Sequence, residues 1–296
     1  MSTSALPAPA KLNLRLVVLA RERSGYHQIE TIFCALALAD EVAVDVEGAA
    51  SGIELQVDGP APAPTRENLA YRAASAFFEA VGRPPRARIR LRKRIPAGAG
   101  LGGGSSDAAA TLMSLQRLHG DPLDPNALLG LGARLGSDVP YFLANSPLAI
   151  AWGRGQRLLA LPPLPTAAVL LAVPDATVST PDAYRALDER RAGDERGAAA
   201  PPLLLLPGGL RTWETVADVA RNDFEPIIFE RIPVLGRIRA ALDEAGAAIA
   251  RLTGTGSVVY GVFDGRAERD AAAAALASRF EGVRLITTET AGVRIE

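Results

Sequence analysis

The stretch Pro96-Ala-Gly-Ala-Gly-Leu-Gly-Gly-Gly-Ser-Ser106 lies between two segments of opposite character. Residues 86–92 before it alternate between arginine and apolar side chains, which predicts a strand, and the apolar segment after it predicts a helix that ends near Leu118. Five glycines among seven consecutive residues leave several backbone N–H groups free to turn toward one anion at the start of that helix. The hydroxyl groups of Ser105 and Ser106 add further donors. This stretch therefore predicts a binding loop for a polyphosphate.

The same loop allows other interpretations. Gly98, Gly100 and Gly103 have the spacing of the dinucleotide-binding fingerprint, but the preceding strand carries arginines and no βαβ unit with an acidic residue about 20 positions on follows. A Walker loop needs a lysine before the serine pair, and none is present. A flexible glycine linker is the structural alternative. Phosphate transfer at this loop would therefore need a lysine from elsewhere in the chain.

Lysine is scarce in this chain, which contains thirty arginines and two lysines, Lys11 and Lys93. The lysine ammonium group is a compact point charge that fits beside a transferring phosphate where the forked guanidinium group does not. Both lysines are therefore candidates for a functional role. The alternative is the chance survival of two surface lysines.

Composition and charge exclude several classes of protein. The 296 residues are 48% hydrophobic and 22% charged, with a formal net charge of -1 at pH 7. The apolar fraction excludes disorder as the main state, and the balanced charge argues against a protein that coats nucleic acid or an anionic membrane. Cys34, the single cysteine, excludes a multi-cysteine metal site. Since no targeting signal is evident, we expect a cytoplasmic protein. We also expect a small-molecule substrate, no nucleic-acid or membrane partner, and a monomer or weak homodimer.

Alternation and helical spacing along the chain predict an α+β protein. Strands are predicted at residues 11–18, 29–38 and 42–46, and the second half again mixes strands with helices. No regular βαβ repeat is present, which argues against a doubly wound sheet. A proline-rich stretch predicts a boundary between two domains, residues 1–160 and 161–296.

Two further motifs accompany the glycine loop: Pro9-Ala-Lys-Leu-Asn13 near the start and Leu252-Thr-Gly-Thr-Gly256 near the end. Together with the loop, they resemble the three signatures of the GHMP small-molecule kinases. The resemblance implies a ribosomal-S5-like N-terminal domain, a ferredoxin-like C-terminal domain and an active site in the cleft between them. It also implies ATP as the co-substrate, with Mg²⁺, while no side chain of the protein is assigned as a metal ligand.

Three more motifs are similar to one subgroup of that superfamily: Gly25-Tyr-His27, Leu135-Gly-Ser-Asp-Val-Pro140 and Asn222-Asp-Phe-Glu225. The subgroup phosphorylates a cytidine diphosphate derivative of a branched sugar alcohol on a route to isoprenoid precursors. The alternatives are another GHMP kinase that acts on mevalonate or homoserine, a regulator that holds ATP without turnover, and a nicotinamide oxidoreductase.

The resemblance assigns roles to individual residues. Lys11 and Asp138 are the expected catalytic pair, in which Lys11 holds Asp138 ionised and Asp138 accepts the proton of the substrate hydroxyl. The expected nucleotide-binding residues are Asn68, Lys93, Pro96, Ala97, Gly98, Ala99, Gly100, Leu101, Gly102, Gly103, Gly104, Ser105 and Ser106. The expected substrate-binding residues are Asn13, Tyr26, His27, Thr180 and Tyr184, with cytosine held between Tyr26 and Tyr184.

Each assignment has a structural alternative. Asp138 taken alone is typical of a helix cap or a turn, and the two serines of the loop are typical of helix caps. Tyr26 and Tyr184 are alternatively half-buried core aromatics, and His27 a turn histidine. Position 184 also departs slightly from the family, which often has phenylalanine there.

Overall fold

The computed structural model describes residues 3–47, 51–59, 64–192 and 209–292. The strands are β1 Thr3–Arg21, β2 His27–Asp45, β3 Gly52–Asp58, β4 Arg86–Arg92, β5 Leu148–Gly153, β6 Arg157–Leu161, β7 Ala168–Val173, β8 Arg221–Asn222, β9 Ile249–Leu252, β10 Val259–Phe263 and β11 Arg284–Glu289. The helices are α1 Leu69–Val81, α2 Gly103–Leu118, α3 Pro125–Leu135, α4 Val139–Leu143, α5 Thr180–Ala192, α6 Trp213–Ala217, α7 Glu225–Arg231, α8 Pro233–Glu244 and α9 Arg266–Arg279. In these four ranges, no helix has both the length and the apolar character that crossing a membrane requires.

The long antiparallel hairpin of β1 and β2 is the centre of the first sheet. This sheet runs in the order β3-β4-β2-β1-β8, and β5 and β6 extend it from β2. Helices α1 and α2 pack on one face, where Phe77, Phe33 and Leu112 are buried in a common apolar cluster. The short strand β8 pairs with β1 in parallel, with Leu16 opposite Asn222. The chain thus returns from its second half to the edge of the first sheet.

The second sheet has four antiparallel strands in the order β11-β7-β10-β9. Its alternate side chains are buried beneath α8 and α9, where Leu170, Leu235 and Leu276 share one cluster. The chain passes from the first sheet to the second between Leu161 and Ala168.

A third apolar cluster joins the two sheets. It contains Leu12 and Ile32 of the first sheet and Leu171 and Tyr260 of the second, all without exposed surface. The Tyr260 hydroxyl also donates a hydrogen bond of 2.9 Å to the backbone carbonyl of Asn13. Because burial of apolar surface favours the joined state, this cluster holds the two sheets in one arrangement.

The predicted α+β class is confirmed, whereas two predicted strand boundaries are wrong. The segments 29–38 and 42–46 form one continuous strand, because residues 39–41 pair with Pro9, Ala8 and Pro7 of β1. For the same reason β1 begins at Thr3 and not at residue 11. Pairing between distant segments has overridden the local breaks in alternation.

Candidate functional site

A cavity of about 1070 Å³ opens between the two sheets. Its walls come from β1, the turn before β2, the glycine loop, the connection between α3 and α4, and helix α5. Ten residues assigned from the sequence line it: Lys11, Asn13, Tyr26, His27, Gly100, Gly102, Ser105, Asp138, Thr180 and Tyr184. Ten others are not part of its lining: Asn68, Lys93, Pro96, Ala97, Gly98, Ala99, Leu101, Gly103, Gly104 and Ser106.

Lys11 lies in the wall with its ammonium group almost fully buried. The Nζ atom donates hydrogen bonds to the side-chain oxygen of Asn13 at 2.5 Å and to the carbonyl of Gly100 at 2.7 Å. It lies 3.8 Å from the Asp138 carboxylate and 5.6 Å from the centre of the Phe33 ring. Burial lowers the pKa of Lys11, and the charge of Asp138 opposes that shift. Burial thus works against the ammonium form, and the carboxylate beside it offsets part of that effect.

Asp138 is the residue before α4, and its carboxylate makes no capping hydrogen bond to that helix. Its side chain is 27% exposed, and the residue lines the cavity. The alternative of a helix-capping aspartate is therefore wrong in this structure. Burial, together with the charge of Asp138, raises the pKa of the neighbouring Tyr184 to about 12. The carboxylate is thus left available to a hydroxyl group in the cavity.

Two glycines of the glycine loop lie too close to neighbouring atoms to be replaced by residues with a side chain. Gly100 and Gly102 have φ angles of 77° and 74°, in the left-handed region that side chains disfavour. A Cβ atom on Gly100 would lie 2.2 Å from the carbonyl oxygen of Thr253, and one on Gly102 would lie 3.0 Å from Cγ of Lys11. The loop therefore packs directly on the second small-residue turn and on Lys11.

Gly102 is also the N-cap of α2, and no side chain caps that helix. The predicted alternative of Ser105 and Ser106 as caps is therefore wrong, because both serines lie within the first turn. Uncapped N–H groups at a helix N-terminus carry a partial positive charge, which suits a phosphate group. Ser105 faces the cavity, whereas Ser106 is buried and its hydroxyl oxygen has no hydrogen-bond partner among the described residues.

Asn13 is buried, so the alternative of an exposed strand position is wrong. Its side-chain oxygen accepts from Lys11 and, at 2.9 Å, from the N–H of Gly254. Its amide nitrogen donates to the Thr31 hydroxyl at 2.8 Å. Asn13 therefore joins the lysine on β1 to the Thr253–Gly256 turn of the second sheet.

Lys93 lies at the base of the glycine loop and makes ion pairs with Asp40 and Asp107. Burial would lower the pKa of Lys93, but Asp107 and Asp40 outweigh it and raise the pKa. Burial raises the pKa of Asp107 to about 6, against the effect of Lys93. Since two of the three Lys93 donors are engaged here, a contact with ATP would use the third.

The side chains of Asn68 and Asp40 bond to the backbone at the start of α1 and directly before the glycine loop. The Asn68 side chain caps α1 by accepting a hydrogen bond of 2.9 Å from the N–H of Ala70. The Asp40 carboxylate accepts from the N–H groups of Arg94 and Ile95, directly before the loop. The backbone directly before the glycine loop and the start of α1 are therefore each fixed by a side chain.

Aromatic rings also line the cavity. Tyr26 is 60% exposed, and the Arg154 guanidinium carbon lies 4.1 Å from its ring centre. The His27 ring stacks on Tyr184 with centres 4.6 Å apart, and its Nε2 atom lies 2.8 Å from the Asp188 carboxylate. The alternative of Tyr26 as a core aromatic is therefore wrong. Tyr26 already has one partner, and Tyr184 has two, because it also meets the Phe224 ring at 4.9 Å. The predicted cytosine sandwich would use the ring faces that remain.

The sequence did not identify several residues of the cavity wall. Phe33 lies beneath the Lys11 ammonium group, and Arg154 reaches Tyr26 from the turn between β5 and β6. Asp188 lies on α5, a helix that the sequence did not predict because only three of its side chains are buried. Thr180, which was assigned, starts α5 and lies 3.1 Å from the Thr255 hydroxyl. Strand pairing and helix packing bring these residues together, and no local pattern indicates it.

Comparison with known proteins gives the family. The chain matches the GHMP kinases N terminal domain over residues 68–146 and the GHMP kinases C terminal domain over residues 206–282. A 4-diphosphocytidyl-2-C-methyl-D-erythritol kinase from Solidesulfovibrio magneticus is 41% identical and aligns over 87% of this chain and 88% of its own.

Solved structures agree with that match. A crystal structure of 4-(cytidine 5'-diphospho)-2C-methyl-D-erythritol kinase is 37% identical, with a TM-score of 0.80 over 98% of this chain and all of the other. A homoserine kinase from Cytophaga hutchinsonii, 16% identical with a TM-score of 0.69 over 100% of this chain and 96% of its own, shares the fold. The two-domain GHMP kinase fold predicted from three sequence motifs is thereby confirmed. The chain belongs to the GHMP kinases and, within them, to the 4-diphosphocytidyl-2-C-methyl-D-erythritol kinase family.

Proposed function

We propose that this chain transfers the γ-phosphoryl group of ATP to the 2-hydroxyl group of 4-diphosphocytidyl-2-C-methyl-D-erythritol, on the non-mevalonate route to isoprenoid precursors. The observation that carries the proposal is the Lys11–Asp138 pair in a cavity wall that also includes the start of the uncapped helix α2. A carboxylate, a fixed ammonium group and free backbone N–H groups are what phosphoryl transfer to an alcohol requires.

Asp138 acts as the general base. Its carboxylate accepts the proton of the 2-hydroxyl group while the hydroxyl oxygen forms a bond to the γ-phosphorus atom. The bond from that phosphorus to the oxygen that bridges the β- and γ-phosphates breaks, and ADP leaves with its electron pair. Lys11 lies 3.8 Å from the Asp138 carboxylate and holds positive charge beside the moving phosphoryl group.

Mg²⁺ is compatible with the residues at the glycine loop. In kinases this ion is held by nucleotide phosphates and by one or two oxygen ligands of the protein, so a dedicated cluster is not required. The hydroxyls of Ser105 and Ser106 lie in the first turn of α2, and the Ser106 hydroxyl oxygen lacks a partner among the described residues. These serines would hold the ion, which would neutralise phosphate charge when bound.

The cytidine end of the substrate is assigned to the aromatic part of the cavity. Tyr26, His27 and Tyr184 supply ring faces there, and His27 and Asp188 supply polar atoms. Flat apolar faces bind a base by stacking, and polar groups at the base edge provide discrimination. The acceptor hydroxyl then lies on the side of the cavity that contains Asp138.

The test is an ADP-release assay with 4-diphosphocytidyl-2-C-methyl-D-erythritol beside mevalonate and homoserine. We expect turnover with the cytidylated acceptor alone. The Asp138→Asn variant should lose about 10²–10⁴-fold in kcat, as expected for a general base, and bind an ATP analogue within a few-fold of the wild type. Turnover of mevalonate or homoserine in preference would reject the substrate, and an active Asp138→Asn variant would reject the mechanism.

A further inference from the structure

The Asn222–Glu225 segment contains a residue that the mechanism above does not use. Asn222 is the second residue of β8 and is 3% exposed. It lies beside the turn that joins β9 to β10, which contains Thr253 and Gly254. Nothing in the proposed chemistry requires a side-chain amide at this position, so its hydrogen bonds indicate its role.

Every hydrogen-bonding group of the Asn222 side chain is engaged. The amide nitrogen donates to the carbonyl of Leu252 at 2.7 Å and to the carbonyl of Gly254 at 2.8 Å. The amide oxygen accepts from the N–H of Phe224 at 2.9 Å. Two donors and one acceptor are thus matched by two carbonyls and one N–H. An amide meets this set, whereas a carboxylate offers no donor.

A second asparagine holds Gly254 through its N–H. Asn13 accepts that hydrogen bond at 2.9 Å with the same oxygen that accepts from the Lys11 ammonium group at 2.5 Å. Thr253 adds a hydroxyl that accepts from the backbone N–H of Asn13 at 3.2 Å. The hydrogen bonds therefore run without a break from Asn222 through Gly254 and Asn13 to Lys11.

We propose that Asn222 is a positioning residue for the phosphoryl transfer. It fixes the carbonyls of the turn, the turn fixes the side-chain oxygen of Asn13, and that oxygen orients Lys11 toward Asp138. Because Asn222 lies too deep to touch a ligand in the cavity, it acts only through this chain of bonds. The kinetic part of the inference rests on the proposed kinase activity, whereas the orientation of Lys11 does not.

The Asn222→Asp variant tests the donors at nearly constant shape. It places a carboxylate oxygen within hydrogen-bond distance of two carbonyls, which repels them unless the carboxyl group is protonated. Such surroundings raise a carboxyl pKa. Lys11 and Arg21 of β1 and Glu230 and Arg231 of α7 lie farther along these elements. The charged side chains near Asn222 and its strand and hydrogen-bond partners are Arg15 on β1, Arg221 on β8, Asp223, Glu225 on α7 and Arg251 on β9. Each of these five has a hydrogen-bonding partner in the structure: Glu30, Asp223, Arg191, the N–H of Leu252 and the carbonyl of Ala220.

We expect kcat of Asn222→Asp to fall on the order of 10–10²-fold at pH 8, the range that small misplacements of catalytic groups produce. The ratio of its kcat to that of the wild type should rise about fivefold or more between pH 8 and pH 6, because protonation restores a donor. Asn222→Ala lacks the donors at every pH and should show the loss without the recovery. KM for ATP should change less than kcat in both variants.

Asp223→Asn is the matched control. Asp223 is the buried neighbour of Asn222, but its carboxylate bonds to Arg191, Arg221 and the N–H of Val18, and not to the turn. Its variant should have a lower melting temperature and retain a kcat that follows the wild-type pH dependence. If Asn222→Asp is unfolded at pH 8, the comparison is made with Asn222→Ala.

The two lysines allow a test that needs no activity. NMR of protein with isotope-labelled lysine side chains should show two signals, one each for Lys11 and Lys93, assigned with a Lys93→Arg variant. Asn222→Asp and Asn222→Ala should shift the Lys11 signal and leave Lys93 in place, whereas Asp223→Asn should shift neither. A folded Asn222→Ala variant with an unmoved Lys11 signal and a kcat within about twofold of the wild type would overturn the inference. An inactive wild type with a shifted Lys11 signal in the variants would reject only the kinase activity.

Discussion

Lys11 carries its ammonium group where water hardly reaches it, held by the side-chain oxygen of Asn13 and the carbonyl of Gly100. Cγ of Lys11 would lie 3.0 Å from a Cβ atom on Gly102, so the side chain already fills its channel. A compact charge fits there, and the wider guanidinium plane of arginine does not. This contrast explains why a chain with thirty arginines keeps a lysine at this position.

We therefore expect Lys11→Arg to lose at least about 10²-fold in kcat although the charge is kept, because a misplaced charge no longer matches the transition state. Steady-state ADP release measures it. Arg88→Lys, an exchange on the face of β4 away from the cavity, is the control and should leave kcat unchanged. Wild-type turnover in the Lys11→Arg variant would show that the compact ammonium group is not required.

Tyr184 lies in the cavity wall, where its ring stacks on His27. If its ring stacks on cytosine, Tyr184→Phe should be nearly silent, while Tyr184→Ala should raise KM for the cytidylated substrate about five- to 150-fold, since a base stack is worth about 1–3 kcal/mol. KM for ATP should remain unchanged in both variants. A Phe variant as poor as the Ala variant would instead assign the contribution to the hydroxyl group.

Some residues of the site could be predicted from the sequence, and others could not. The scarcity of lysine indicated Lys11, and the family motifs indicated Asp138 and Asn13. Asp188 and Arg154 had no such signal, because their relation to His27 and Tyr26 depends on how α5 and the β5–β6 turn pack. Only tertiary contacts place those side chains in the wall.

At the scale of elements, α2 begins with two glycines of different surroundings. A Cβ atom on Gly103 would lie 3.1 Å from Ile95, whereas one on Gly104 would meet only Leu69 at 3.5 Å. Gly104→Val is therefore the cleaner test of whether backbone groups of the loop approach phosphate.

We expect Gly104→Val to fold and to weaken the binding of a non-hydrolysable ATP analogue by about tenfold or more, because a branched side chain keeps phosphate from the helix N-terminus. Titration calorimetry gives the affinity. Gly130→Val, on α3 with open space around the added carbon, is the matched control and should bind normally. Equal affinity in both folded variants would mean that the start of α2 is a structural turn and does not bind phosphate.

The cluster of Asp40, Lys93 and Asp107 links β2, the end of β4 and α2. The pKa of Asp107 is about 6 in the folded protein against an ordinary value of 3.8, so the folded state binds its proton more tightly than the unfolded state. The free energy of unfolding therefore falls as the pH rises from about 4 to about 6, and the full penalty is present above that range.

Asp107→Asn removes this titration. The free energy of unfolding of the variant minus that of the wild type should increase between pH 4 and pH 7. The increase should be as much as about 3 kcal/mol, because the pKa of Asp107 is raised by about two in the folded protein. Urea unfolding at several pH values measures the difference. A constant difference across that range would mean that Asp107 does not change its protonation there.

Element boundaries were predicted less well than element types. The alternating strand β4 and the helix α2 after the glycine loop follow from local patterns, and both are present. The helices α4 and α7 were missed because they have only five and seven residues, too few to show a periodic apolar face. The polar helix α5 was missed because only three of its 13 side chains are buried.

For the whole molecule, the apolar cluster shared by both sheets has thermodynamic consequences. Separation of the two sheets would expose apolar side chains of both: Leu12 and Ile32 on the first sheet, and Leu171 and Tyr260 on the second. The two sheets should therefore unfold together, in contrast to domains joined by a linker alone.

Two tryptophans report on the two parts, since Trp152 lies on β5 of the first sheet and Trp213 on α6 beside the second. We expect the Trp152→Phe and Trp213→Phe variants to give coincident urea transitions by fluorescence. Leu171→Ala should lower the free energy of unfolding seen by both probes equally, by about 2–5 kcal/mol. Two separated transitions would contradict the shared core.

The hydrogen bond between Asn13 and Gly254 spans 241 residues of chain. During synthesis Asn13 leaves the ribosome long before its partner exists, so the nascent chain contains the first sheet without the turn that completes the setting of Lys11. Catalytic competence should then arise only near the end of translation. A truncated chain that ends before Gly254 should therefore bind neither of the two substrates productively. No such fragment should show partial activity.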